Sequence, residues 1–158
     1  MHSLNASDIM ARSEATLAPD TYGAQAQLLK ARLTGAPVVD ETGRLLGMLT
    51  ERDCLKVLVG GALDGLPSGR VADYMSAPAE AVTPEASLFD VAHLFLTRSF
   101  RKLPVVDADH RVVGQVSRRD VLSAIASSRD NPRLFGVAER RPADDVGVDS
   151  AMRLARGR

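Results

Sequence analysis

The sequence predicts an α+β fold made of two β-α-β-β-α repeats. Three observations predict it. Gly47-Met48-Leu49-Thr50-Glu51-Arg52-Asp53 returns 67 positions later as Gly114-Gln115-Val116-Ser117-Arg118-Arg119-Asp120. Ala36-Pro37-Val38-Val39-Asp40 returns at the same offset as Leu103-Pro104-Val105-Val106-Asp107. Asp8-Ile9-Met10 and Pro19 return 65 positions later as Asp73-Tyr74-Met75 and Pro84, so two residues have been inserted between Pro84 and Pro104. Fixed-period similarity of this kind marks a duplicated supersecondary unit.

Each element has its own local reason. Ser7 is placed to cap a short helical turn carrying Asp8-Ile9-Met10. Ala15 to Leu17 reads as a brief strand stopped by Pro19. Asp20 and Thr21 suit a helix start, and a helix is expected to about Arg32, with Tyr22, Ala26, Leu29 and Leu33 on its inner face and Gly35 ending it. Pro37 to Asp40 and Leu45 to Leu49 read as paired strands around a Glu41-Thr42-Gly43 turn. A helix follows over Thr50 to Val59 and is closed by Gly60-Gly61.

The second copy repeats this order. Ala81-Val82-Thr83 is a short strand before Pro84, and Ser87 caps a helix whose Leu88, Val91, Ala92, Phe95 and Leu96 have core-facing spacing. Lys102 to Val106 and Val112 to Val116 form the strand pair. Arg118 to about Ser127 forms the last helix, with Val121, Leu122 and Ile125 inward, matching Cys54, Leu55 and Leu58. The expected divisions are a first repeat with its lead-in (1–61), a glycine-rich linker (62–69), a second repeat (70–128) and a flexible tail (129–158). Within that tail, Ser150 to Arg156 could form a short helix.

Composition narrows the function. The formal net charge is zero, so no global field draws the chain to nucleic acid or an anionic membrane. The tail carries a small excess of arginine, which keeps a nucleic-acid association as a weaker alternative. One cysteine, Cys54, excludes an internal disulfide and suits a reducing cytoplasm. The start lacks a signal-peptide pattern, and the longest apolar run, Val57 to Leu63, is too short to span a bilayer. Asp107, Asp109 and His110 lie in a hairpin turn, where aspartate is a common turn former, so no metal site is expected. No nucleophile, base and orienter stand out as a catalytic set, so no catalytic residue is assigned.

The order of parts resembles the CBS domain, and two in tandem resemble the CBS pair, or Bateman module. The resemblance rests on Asp-x-Met, the short strand before proline, the helix, apolar-Pro-Val-Val-Asp and Gly-x-apolar-(Thr/Ser)-x-x-Asp, from about residue 6 to residue 126. It implies two repeats packed through their sheets with pseudo-two-fold symmetry and two clefts between them. It further implies a regulatory module for an adenosine-containing ligand (AMP, ADP, ATP or S-adenosylmethionine), with no cofactor otherwise required, and a homodimer that signals to an effector protein.

The repeated turn carries the chemistry. Thr50-x-x-Asp53 and Ser117-x-x-Asp120 have the spacing of capping boxes, in which the hydroxyl and the carboxylate satisfy free N–H groups at a helix start. The same parts suit a nucleoside phosphate. A helix N-terminus and a hydroxyl donate to phosphate, and an ionised carboxylate accepts from both hydroxyls of a ribose. Gly47 and Gly114 fall inside strands, where glycine marks close approach of a ligand or of backbone.

The expected ribose and phosphate residues are therefore Asp120, Ser117, Asp53 and Thr50, with the cations Arg118, Arg119, Arg101, Lys102 and Arg52 nearby. Four of those cations belong to the second copy, which predicts unequal sites with the second better equipped for phosphate. The resemblance adds a base pocket of Ala36, Pro37, Leu103, Pro104, Thr16, Leu17, Ala81 and Val82. A ligand-free dimerisation scaffold, in which the turns are only helix caps, is the alternative.

Overall fold

The computed structural model describes residues 3–12, 15–60 and 69–128. The expected linker and tail fall almost entirely outside these residues, as do Gly61 and the short helix expected over Ser150 to Arg156. The described elements run α1 (Ala6–Ile9), α2 (Ala24–Ala31), β1 (Gly35–Val39), β2 (Leu45–Thr50) and α3 (Glu51–Gly60). The second copy follows with α4 (Val71–Tyr74), α5 (Leu88–Thr97), β3 (Lys102–Val106), β4 (Val112–Ser117) and α6 (Arg118–Ser127).

Each copy makes an antiparallel hairpin, β1 with β2 and β3 with β4, with the same bulge one residue before the end of the first strand. The brief strands expected before Pro19 and Pro84 are reduced to single parallel bridges, Leu17 to Val38 and Val82 to Val105. They still close a third row on each sheet, because Leu17 and Val82 each exchange two backbone hydrogen bonds with β1 or β3 at 2.9–3.0 Å. The two hairpin tips join each other. The N–H of Leu45 donates to the carbonyl of His110, and the N–H of Val112 donates to that of Gly43, both at 3.0 Å. Adding 67 to Leu45 gives Val112 and to Gly43 gives His110, so the two bonds are exchanged by the pseudo-two-fold axis.

The core is two clusters, one per sheet, and each borrows from the other copy. One holds Leu17, Ala24, Leu28, Ala36, Val38 and Leu49 together with Val71 of α4. The other holds Val82, Leu88, Val91, Phe95, Leu103, Val105, Val116 and Val121 together with Ala6 of α1. Backbone bonds hold the exchange: Val71 and Ala72 donate to Thr21 and Pro19, while Ala6 and Ser7 donate to Ala86 and Pro84. Each fully buried valine or leucine contributes roughly 1.5–3 kcal/mol, so neither cluster is complete without the other copy's lead-in.

Several local expectations are corrected. The cap of α1 is Asn5, not Ser7: its side chain accepts from the Asp8 N–H, and the Asp8 carboxylate accepts from the Asn5 N–H at 2.9 Å. Helix α2 starts only at Ala24, because Gly23 takes a left-handed conformation with φ 64° before it. The late start leaves Tyr22 outside the helix and turns Ala24 and Leu28 inward, while Leu29 is 75% exposed and Ala26 also faces out. Leu33 does pack against the core. In α5, Ser87 caps as expected and Leu88, Val91 and Phe95 are buried, but Leu96 is 85% exposed. In α6 only Val121 is buried, and Leu122 and Ile125 face outward, as Leu55 does on α3.

Candidate functional site

Helix α3 begins where β2 ends, and α6 begins where β4 ends. Both turns are capping boxes. At the second, the Asp120 carboxylate accepts from the N–H of Ser117 at 2.7 Å and from its hydroxyl at 2.8 Å, and the Ser117 hydroxyl accepts from the Asp120 N–H at 3.1 Å. At the first, the Asp53 carboxylate accepts from the N–H of Thr50 at 3.0 Å and from its hydroxyl at 2.9 Å, with the Asp53 N–H returned to Thr50 Oγ1 at 3.2 Å. The two carboxylates then differ. Asp53 is only 4% exposed, and its other oxygen accepts from the hydroxyl of Ser76 at 2.8 Å, with the Lys56 ammonium 3.9 Å away. Asp120 is half-buried, and among the described residues its Oδ1 has no hydrogen-bond partner.

A cavity of about 560 Å³ opens at the first turn, a size usual for small-molecule sites of about 300–1,000 Å³. Thr50, Arg52, Asp53 and Lys56 line one side, and Phe100, Arg101 and Lys102 enter from the second copy. Its lining includes four cations, Arg52, Lys56, Arg101 and Lys102, against the carboxylates of Glu51, Asp53 and Glu80. Glu80 also lies 3.7 Å from Arg98, which is outside the lining, so an anion would face a local positive excess.

The cations expected together at the second turn are divided between two places. Arg101 and Lys102 line the cavity of the first copy, because the segment entering β3 lies across from the start of α3. Lys102 is also the register partner of Ser117, so its backbone adjoins the second turn. Arg118 and Arg119 open α6 as exposed residues and do not line this cavity.

The residues named for the base pocket are placed differently again. The side chains of Ala36, Pro37, Leu103, Pro104, Leu17 and Val82 are buried, and none of them borders this cavity. Thr16 is exposed and Ala81 half-buried. The wall has Met48, Ser76 and Pro78 instead, none of which the motif spacing pointed to. Ser76 had a readable signal: it follows Asp73-Tyr74-Met75 in the second copy, whereas Ala11 follows Asp8-Ile9-Met10 in the first.

The strand glycines meet backbone, not open space. A Cβ on Gly47 would lie 2.6 Å from the Ser76 carbonyl oxygen. One on Gly114 would lie 2.7 Å from the Met10 sulfur and 2.9 Å from the Ala11 carbonyl oxygen. The segment after each Asp-x-Met therefore lies against the other copy's β2 or β4. Ser76 exchanges two backbone bonds with Met48, both at 2.9 Å, and Ala11 exchanges two with Gln115 at 2.9 and 3.0 Å. Gln115 takes the place of Met48 in the second copy, is 2% exposed, and its Oε1 has no hydrogen-bond partner among the described residues. Cys54, beside Asp53, is partly buried; burial and then the neighbouring carboxylate push its thiol pKa up, away from thiolate reactivity.

Two hairpins joined about a pseudo-two-fold axis, each running into a capped helix, with a cavity at the start of the first of these helices, define a tandem-repeat α+β module. The CBS domain family model matches the chain twice, at residues 6–60 and 71–127, and the chain belongs to that family. YhcV of Bacillus subtilis, a CBS domain-containing protein, is 35% identical over 115 residues, 72% of this chain and 80% of that one. The uncharacterised protein MJ1225 of Methanocaldococcus jannaschii is 34% identical over 94 residues, 59% of this chain. The match spans 32% of MJ1225, 60% of a 17.7 kDa protein of Acidianus ambivalens and 52% of the chloroplastic CBSX1 of Arabidopsis thaliana. The crystal structure of CBSX2 in complex with AMP superposes with a TM-score of 0.70 at 28% identity, covering 78% of this chain and 96% of that one. No helix among the described residues is long and apolar enough to cross a membrane.

Proposed function

We propose that the chain is a non-enzymatic regulatory module that binds an adenosine-containing ligand in the cleft between its two repeats and signals to a partner protein through a change in shape or pairing. One observation carries the reading: a cavity at a helix start brings a hydroxyl, a carboxylate and four cations from both copies to one place. Phosphate suits the helix N-terminus and the cations, and an ionised carboxylate with lone pairs to spare suits a ribose diol. The AMP bound by CBSX2, a protein of like fold at 28% identity, supports the same ligand class. Because the cavity wall draws on both repeats, ligand there would bear on how they sit together. We place the module in the cytoplasm as a homodimer.

Thermal shift and calorimetric titration with AMP, ADP, ATP and S-adenosylmethionine test this. A ligand at a hundred times its Kd stabilises by about 2.7 kcal/mol. No shift and no heat with any of the four would overturn the sensor reading. The second reading, a ligand-free dimerisation scaffold, draws on the Asp53 carboxylate being tied to Thr50 and Ser76, and on the outward leucines of α3 and α6.

A further inference from the structure

We infer that Ser76 decides which repeat reads the sugar of a bound nucleotide, an inference that rests on the nucleotide reading above. A carboxylate offers roughly four lone-pair positions. Asp53 commits Oδ2 to the N–H and hydroxyl of Thr50 and Oδ1 to the hydroxyl of Ser76, and it is almost wholly buried. A cis-diol needs two acceptor positions, so it cannot be gripped by Asp53 unless the Ser76 bond breaks.

The second copy isolates the cause. Ala11 stands where Ser76 stands and makes the same pair of backbone bonds to the neighbouring strand, Ala11 to Gln115 as Ser76 to Met48. The pair of backbone bonds is matched at this position, and the hydroxyl is present in one copy and absent from the other. Asp120 keeps its two bonds from Ser117, and its Oδ1 has no partner among the described residues. The first cavity therefore holds its ligand as an anion, through Arg52, Lys56, Arg101 and Lys102, with little regard for the sugar. The turn at Asp120 distinguishes ribose from deoxyribose.

Calorimetric titration of the full chain with AMP and with 2′-deoxyAMP tests this in wild type, Ser76→Ala and Ala11→Ser. Freeing one carboxylate lone pair, at the usual net value of a hydrogen bond, predicts that Ser76→Ala tightens AMP at one site about three- to tenfold and leaves 2′-deoxyAMP nearly unchanged. Ala11→Ser should weaken AMP by a similar factor and again spare 2′-deoxyAMP. Equal effects on both nucleotides, or none on AMP, would overturn the role of Ser76 while leaving nucleotide binding intact. Failure of wild type and both variants to bind AMP would instead remove the nucleotide reading and this inference with it. If Ala11→Ser does not fold, Ser76→Ala decides alone, since its backbone bonds do not involve the hydroxyl.

Discussion

The carbonyl oxygen of Ser76 would lie 2.6 Å from a Cβ on Gly47, so a residue 29 positions away in sequence dictates glycine inside β2. The same contact carries the two Met48–Ser76 backbone bonds that dock the second copy's lead-in on the first copy's sheet.

Gly47→Ala is therefore expected to destabilise by about 1–3 kcal/mol in urea denaturation, the usual cost of forcing extra volume into a packed site. Gly114→Ala should cost less. Its nearest obstruction is the Met10 thioether, which can swing away, and the backbone carbonyl it meets, that of Ala11, lies at 2.9 Å against 2.6 Å for Ser76 at Gly47. The reverse order would mean that the second copy's contact is the stiffer one.

The exchange of lead-ins predicts that one repeat does not fold alone. A fragment ending at residue 60 lacks Val71, which is fully buried in the cluster around Leu17 and Val38. It should show no cooperative thermal transition. In the whole chain, Val71→Ala should cost about 1–3 kcal/mol through the cavity it leaves. A cooperative transition in the fragment would contradict the shared core.

Gln115 buries an acceptor that has no partner among the described residues. Gln115→Met restores the residue type of its counterpart Met48 and should raise the apo-protein's stability by about 1 kcal/mol, since an unsatisfied buried polar group costs about 1–3 kcal/mol. A loss of stability would show that the amide earns more from its other atoms than its orphaned oxygen costs.

Asp40 gives the fold a pH dependence of known sign. The Thr42 hydroxyl, donating at 2.7 Å, and then the backbone N–H of Arg44 at 3.0 Å hold its carboxyl below the ordinary carboxylate range. The folded chain therefore binds this proton less readily than the unfolded chain. The stabilisation is full above the unfolded pKa and is lost as pH falls through the lower folded value. The gap in Tm between wild type and Asp40→Ala should narrow as pH drops from roughly 5 to 3. A gap that widens on acidification would reverse the assignment.

Leu55 on α3 and Leu122 on α6 occupy equivalent places in the two copies and are 60% and 65% exposed. If these outward leucines form the interface of the proposed homodimer, Leu122→Glu should raise the dimer Kd by about thirtyfold or more, the scale of a central interface residue. Sedimentation velocity reads this directly. A monomeric wild type, or an unchanged dimer in the variant, would rule this face out.

Much of the chain could be read locally. The 67-residue echo, the strand pairs, the Ser87 cap and the two hydroxyl-carboxylate turns depend on side-chain type and spacing within a few residues, so the amino-acid order alone determined them. Tertiary structure decided the rest. Whether Tyr22 or Leu28 faces inward depended on a left-handed Gly23 and on what packs above it. That α1 joins the second copy and α4 the first, that Arg101 crosses to the first cavity, and that Ser76 caps Asp53 all depend on contacts between residues far apart in sequence. Such contacts leave no periodicity in either partner's neighbourhood, so only the packed chain determines them.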